Sequence, residues 1–141
     1  MELSFKERIE SVKAGSLASI VFGGIYSLTW WGNHYFGLTQ WSNAGLWSLT
    51  FNVGSSLLSG FLFGVTYRYI IRRDDNSHLR DGAVLAFALV RSGGLLELQL
   101  GQAAMTGAIA LLMLESLVGF AAARSSLDGA MARQWLKPFG H

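Results

Sequence analysis

An all-α integral membrane protein, built as a four-helix bundle with an amphipathic C-terminal segment, is the fold class the sequence predicts. Three observations predict it. From Ala14 to Tyr67, 54 consecutive residues carry no Asp, Glu, Lys or Arg. Hydrophobic residues make up 51% of the 141-residue chain, and a single proline, Pro138, lies near its end. Four windows are long enough to cross about 30 Å of hydrocarbon, which takes roughly 20 apolar residues as a helix because lipid offers no partner to free backbone groups. The absence of Cys excludes disulfides, thiolate metal sites and a Cys nucleophile.

The first span is expected over about 11–31, the second over 46–70, the third over 79–95 and the fourth over 102–123, all within one membrane domain. The third is the least apolar, with Arg91 inside it and Ser92, Gly93 and Gly94 beyond; the fourth is interrupted only by Glu115. Ahead of the first span, Leu3, Ile9 and Val12 read either as a narrow stripe along the membrane surface or as part of a solvated extension of the first helix. This segment mixes acids and bases and lacks a basic n-region, so it is expected to be retained. Between the second and third spans, Asn76 or Ser77 is placed to cap the next helix, with Asp81 in its first turn. Residues 124–141 form the amphipathic tail, whose Leu127, Met131, Trp135, Leu136 and Phe139 suit an interfacial helix ended by Pro138. Surface anchoring and partner docking are both open to it.

Loop charge fixes the expected orientation, because short Lys- and Arg-rich loops stay on the cytoplasmic side. Four spans place ten of the eleven cations on one side: Lys6, Arg8, Lys13, Arg68, Arg72, Arg73, Arg80, Arg124, Arg133 and Lys137. Both termini are then expected on the cytoplasmic or stromal side. Omitting the third span would put Arg124, Arg133 and Lys137 opposite the rest.

Small residues recur every four positions at Gly15, Ser19, Gly23 and Ser27, and again at Ser56, Gly60 and Gly64, with Asn52 and Arg68 extending the second row. Such rows let helix backbones approach closely, which drives association in lipid. Packing within the chain and self-dimerisation are the two uses of the Gly60-x-x-x-Gly64 pair.

A lone charge at mid-membrane costs several kcal/mol. Arg91 lies roughly 16 Å along its helix from Arg80, and Glu115 roughly 14 Å from Arg124, at about 1.5 Å per residue. Their similar depth predicts an Arg91–Glu115 ion pair pinning two antiparallel neighbours. The functional alternatives are a proton path, a docking charge, or a carboxylate ligand to a pigment magnesium.

Residues 30–47 hold Trp30, Trp31, Trp41 and Trp47, with His34, Tyr35 and Phe36. An aromatic belt at the headgroup level accounts for them, although His34 also has the chemistry to ligate a tetrapyrrole metal. The sequence has no Ser-His-Asp arrangement with supporting motif, no HExxH, no P-loop and no dinucleotide fingerprint, so no enzyme is expected. Loop cations obeying topology explain the basic balance, and no nucleic-acid partner is expected.

The stretch FGVTYRYIIRRDDNSHLRDGAVLAFALVR, Phe63 to Arg91, resembles a family of small multi-span membrane proteins of cyanobacteria and plastids. The shared positions are Tyr67, Arg68, Tyr69, Arg72, Arg73, Asp74, Leu79, Arg80, Gly82, Ala83, Val84, Ala86, Phe87, Val90 and Arg91. The resemblance implies a thylakoid location beside photosynthetic complexes and carries no settled activity. The run from Leu114 is similar to the E-x-x-N-G-R element of chlorophyll a/b-binding helices, with Glu115 and Gly119 in place and Val118 and Phe120 where Asn and Arg would stand. The functional expectation is therefore an accessory or assembly subunit of a photosystem-associated thylakoid complex. Arg68, Arg72, Arg73 and Asp75 are its expected docking surface, and chlorophyll, carotenoid or lipid would lie at its small-residue faces. A small proton-linked carrier or channel using Arg91 and Glu115 is the alternative.

Overall fold

The computed structural model describes residues 4–37, 46–71, 76–99 and 106–140. Four helices account for nearly all of them: α1 (Phe5–Tyr35), α2 (Leu46–Ile70), α3 (Ser77–Gln99) and α4 (Thr106–Ala132), and no strand occurs among the described residues. Helices α1, α2 from Leu49 and α4 from Ala110 are long and apolar enough to cross a membrane. Helix α3 has the length, but Arg80, Asp81, Arg91 and Glu97 lower its apolarity. Large apolar side chains such as Ile20, Leu28, Phe51, Leu58, Val90 and Leu114 point outward. An apolar exterior of this extent on a small bundle is compatible with an integral membrane protein.

Helix ends depart from the expected spans for local reasons. Helix α1 starts at Phe5 because the Ser4 hydroxyl accepts the Glu7 N–H at 3.3 Å, capping its first turn. The N-terminal segment from Phe5 is thus a continuation of the first helix. At α3, Asn76 is the cap: its Oδ1 accepts the His78 N–H at 3.1 Å.

The tail needs the largest correction. No break occurs at Arg124; α4 runs on to Ala132, and its end is set well before Pro138. Trp135 N–H donates to the Ala130 carbonyl at 2.9 Å and Gln134 N–H to Met131 at 3.0 Å, while Gln134 takes a φ of 58°. This is the Schellman pattern with a non-glycine residue in the left-handed position. Leu127, Ala130 and Leu136 are buried and Met131 packs on them, so the tail's apolar groups complete the protein's own core. Trp135 alone among its large apolar groups stays well exposed.

At the centre each helix contributes one phenylalanine. Phe22 and Phe120 stand 4.4 Å apart between ring centroids, Phe63 and Phe120 5.1 Å, Phe63 and Phe87 5.3 Å, and Phe87 and Phe120 5.6 Å. Their tilted and edge-on geometries suit the aromatic quadrupole. Because Phe120 fills this cluster, the position at which a chlorophyll-binding helix would present Arg is turned into the core.

The small-residue rows join α1 to α2. A Cβ on Gly60 would lie 2.8 Å from Ser19 Cα and 2.9 Å from Phe22 Cβ, and one on Gly64 would lie 2.7 Å from Ala18 Cβ. Opposite them, Gly15 receives the Phe61 ring and Gly23 receives Leu57, while Ser19 Oγ donates across the interface to the Leu57 carbonyl at 2.8 Å. Ser56 is fully buried in the same row. Ser27 is not part of the contact: it is exposed and its hydroxyl donates to its own helix at Gly23. An every-fourth-residue row rotates by about 40° per step on a helix, so three steps carry Ser27 off the face that began at Gly15. Helix α2 keeps its row covered because α1, α3 and α4 all pack on it.

Candidate functional site

Two polar layers lie inside the bundle, one at the end where the first turns of α1 meet the tail and one on the far side of the phenylalanine cluster.

Arg68 organises the first. Its Nε donates to the Lys137 carbonyl at 2.8 Å, Nη1 to the Glu7 carbonyl at 2.9 Å and to Ser11 Oγ at 2.6 Å, and Nη2 to Glu7 Oε2 at 2.5 Å. Phe139 lies beside the guanidinium, 5.8 Å from ring centroid to Cζ, and stacks at a tilt on Tyr69. With a relative exposure of 1%, Arg68 is not the docking residue expected from its place at a helix end. The planar fork of five donors matches the four acceptors that α1 and the tail supply, which a lysine would not do. Arg72, Arg73 and Asp75, expected to share that docking surface, lie outside the described residues, as does Trp41.

Beside this clamp, Asp128 on α4 gathers α2 and α3. Tyr67 donates its hydroxyl to Asp128 Oδ1 at 2.9 Å, Arg80 approaches the same oxygen at 3.8 Å, and Arg124 lies 3.6 Å from Oδ2 while also pairing with Asp81. Glu10, paired with Lys13 at 2.8 Å, accepts the Lys137 N–H at 3.2 Å. All four helices and the tail are thus tied at one end. The cluster was not singled out from sequence, although Tyr67, Arg80, Arg124 and Asp128 fall at helix ends that the topology brings together.

The second layer holds Arg91 and Glu115. Both line a cavity of about 10 Å³ together with Phe22, Tyr26, Leu95, Leu112, Ser116 and Gly119. The expected direct ion pair is not formed. Arg91 Nη1 instead donates to Ser55 Oγ at 3.1 Å and Ser59 Oγ at 3.0 Å, and its Cζ lies 5.1 Å from the Phe22 ring centroid and 5.6 Å from that of Tyr26. Glu115 Oε1 accepts from Asn33 Nδ2 at 2.5 Å, with the Thr29 side chain beside it. Ser59 spends its own hydroxyl proton on the Ser55 carbonyl, leaving its lone pairs for the arginine. Helical rise puts Arg91 and Glu115 in one layer, and it also puts Ser59 roughly 14 Å along α2 from Arg68, near the depth of Arg91, so the spacing in the sequence carries a signal for the hydroxyl acceptors as well as for the charges.

Gly119 packs on Phe22, with a Cβ there 2.6 Å from the ring. His34, the other candidate pigment ligand, is exposed and stacks on Trp30 at 5.7 Å between ring centroids. Trp31, Tyr35, Phe36 and Trp47 are exposed at the same helix ends. Among the described residues no group of three or more His, Cys, Asp or Glu side chains is placed to hold a metal. Compared with protein-family models, curated proteins and solved structures, the chain matches none of them.

Proposed function

We propose that the protein is an accessory or assembly subunit of a larger membrane complex, with α3 as the helix that meets its partner. The outward face of α3 carries the reading. Gly82, Ala86, Leu89 and Gly93 share one exposed face by their spacing, and among the described residues nothing lies within 4 Å of a Cβ built on Gly82, Gly93 or Gly94. Glycines 15, 23, 60, 64 and 119, by contrast, are filled by neighbours within the chain, while the open glycines of the other helices, Gly24 and Gly32 on α1, Gly54 on α2 and Gly129 on α4, are fewer on each. The least apolar helix thus exposes bare backbone, a poor surface for lipid tails and a good one for a partner's side chains, because close approach is the main source of helix association in a bilayer. The resemblance of Phe63–Arg91 supports a thylakoid setting, with photosystem subunits as partners and chlorophyll, carotenoid or lipid at the contact.

The test is an affinity purification of the tagged chain in gentle detergent, recording co-purifying polypeptides and visible absorption. Recovery with photosystem subunits and chlorophyll is expected, and Gly93→Leu should abolish it without lowering the chain's abundance, since the new side chain meets nothing internal. A colourless, solitary protein at normal abundance would overturn the reading. The shared cavity of Arg91 and Glu115 supports a second reading, a small proton-linked carrier. For that role, replacing either residue should abolish flux in proteoliposomes while abundance is unchanged.

A further inference from the structure

The Arg91 layer contains an imbalance that the fold alone does not resolve. Arg91 is more than nine-tenths buried, and its Nη2 has no hydrogen-bond partner among the described residues. A buried, unpaired guanidinium nitrogen is costly, more so than the modest gain of a hydrogen bond that is made. Nη1 is held by Ser55 and Ser59, and the ring faces of Phe22 and Tyr26 flank the group, so the guanidinium cannot swing toward Glu115 without giving these up. Glu115 is likewise anchored, with Oε1 engaged by Asn33. Between them both side chains border the same cavity of about 10 Å³.

We infer that this cavity is a binding site for one water molecule, which accepts a hydrogen bond from Arg91 Nη2 and donates one to the Glu115 carboxylate. Its volume is the minimum a single water needs, and the two partners it offers meet the lower end of what buried waters require. The accessible space suits one small neutral ligand, and a carboxylate on one wall disfavours an anion even beside an arginine. The two charges are then held as a water-separated ion pair joining α3 to α4, with the hydrogen-bonded chain running from Ser55 and Ser59 on α2 through Arg91, the water and Glu115 to Asn33 on α1. In a bilayer such a chain offsets the burial of both ions without requiring their direct contact.

The experiment is water-selective cross-relaxation NMR on the full chain in lipid nanodiscs, with Arg side-chain nitrogens labelled and the Arg91 signals assigned from Arg91→Lys. A cross-peak between water and the Arg91 Nη2 protons, with the sign of a water bound longer than about a nanosecond, is expected. In Ser116→Val the added methyl groups border the cavity, and the cross-peak should fall at least threefold. A second measurement tests the coupling: unfolding equilibria of Arg91→Met, Glu115→Leu and the double variant should show an interaction of roughly three- to tenfold, the range of hydrogen bonds between membrane helices. Arg91 Nη2 protons with no water contact, or a scalar coupling directly across an Arg91–Glu115 hydrogen bond, would overturn the assignment. Should Arg91→Lys fail to fold, selective labelling and the unmodified chain still decide it.

Discussion

Replacing Arg68 by methionine removes a buried charge while keeping a side chain of similar length, and it separates an internal clamp from a docking group. The change deprives four acceptors on two other segments: the Glu7 carboxylate, the Glu7 carbonyl, the Ser11 hydroxyl and the Lys137 carbonyl. Removing one partner of a buried ion pair costs about 3–5 kcal/mol. Two features place this case at the low end. The Glu7 side chain keeps 20% of its exposure, so water reaches it once the arginine is gone, and Ser11 still donates to the Glu7 carbonyl. The expected loss is therefore about 3 kcal/mol. Reversible unfolding in mixed micelles of rising SDS fraction, followed by circular dichroism, measures it. Trypsin cleavage after Arg133 gives a local readout, because the strap formed by residues 136–139 loses its bond to Arg68 and the segment leading into it should be cut many times faster. Arg8→Met, at an exposed cation near the same helix end, is the control and should change stability by no more than about 0.5 kcal/mol. If Arg68→Met unfolds within about 0.5 kcal/mol of the unaltered chain, with the tail no more accessible, the clamp contributes nothing and Arg68 reverts to a surface role.

Two glycines of α2 predict a contrast: Gly64→Val should weaken the bundle by about 2 kcal/mol or more through overpacking against α1, whereas Gly54→Ala, facing open space, should be neutral or slightly stabilising in the same unfolding assay. Phe120→Ala, at the point where the phenylalanines of all four helices meet, should cost about 3–5 kcal/mol, against under about 1 kcal/mol for the exposed Phe51→Ala; equal losses would deny the cluster its central place. Gln134→Gly relieves a left-handed backbone conformation and should stabilise the protein by about 1 kcal/mol, with a loss of stability counting against the helix end described. Tyr67→Phe removes one hydrogen bond to Asp128 and should lower stability by about 1 kcal/mol, measured the same way.

Four helices and their order were legible because hydropathy over long windows records the solvent directly. The contacts at Gly15, Gly60 and Gly64 were legible for a related reason, since only backbone proximity explains such regular spacing of small residues. Partner choice was less legible. Arg91 and Glu115 were found by depth, yet charge complementarity alone selected the wrong acceptors, because serine hydroxyls and aromatic faces also satisfy a guanidinium. Arg68 was read as a surface cation because the sequence gives no sign that residues 136–139 fold back over it. The continuation of α4 past Arg124 was hidden by charge, for Arg124 and Asp128 look like the polar margin of a span and in fact pair with each other and with neighbouring helices.

The strap across Arg68 joins residues made at opposite times. Glu10 and Lys137 meet although 127 positions separate them, and Arg68 waits 69 positions for the carbonyl of Lys137. A ribosome adding residues in order must therefore make all four helices before either bond can exist. Until the final turn of α4 and its strap have left the exit tunnel, α1 and α2 share an arginine whose last acceptor has not yet been synthesised. Throughout that interval the pairing of α1 with α2 rests on their small-residue rows and on the arginine's bonds to Glu7 and Ser11, and the tail's carbonyl completes the arginine's set only afterwards.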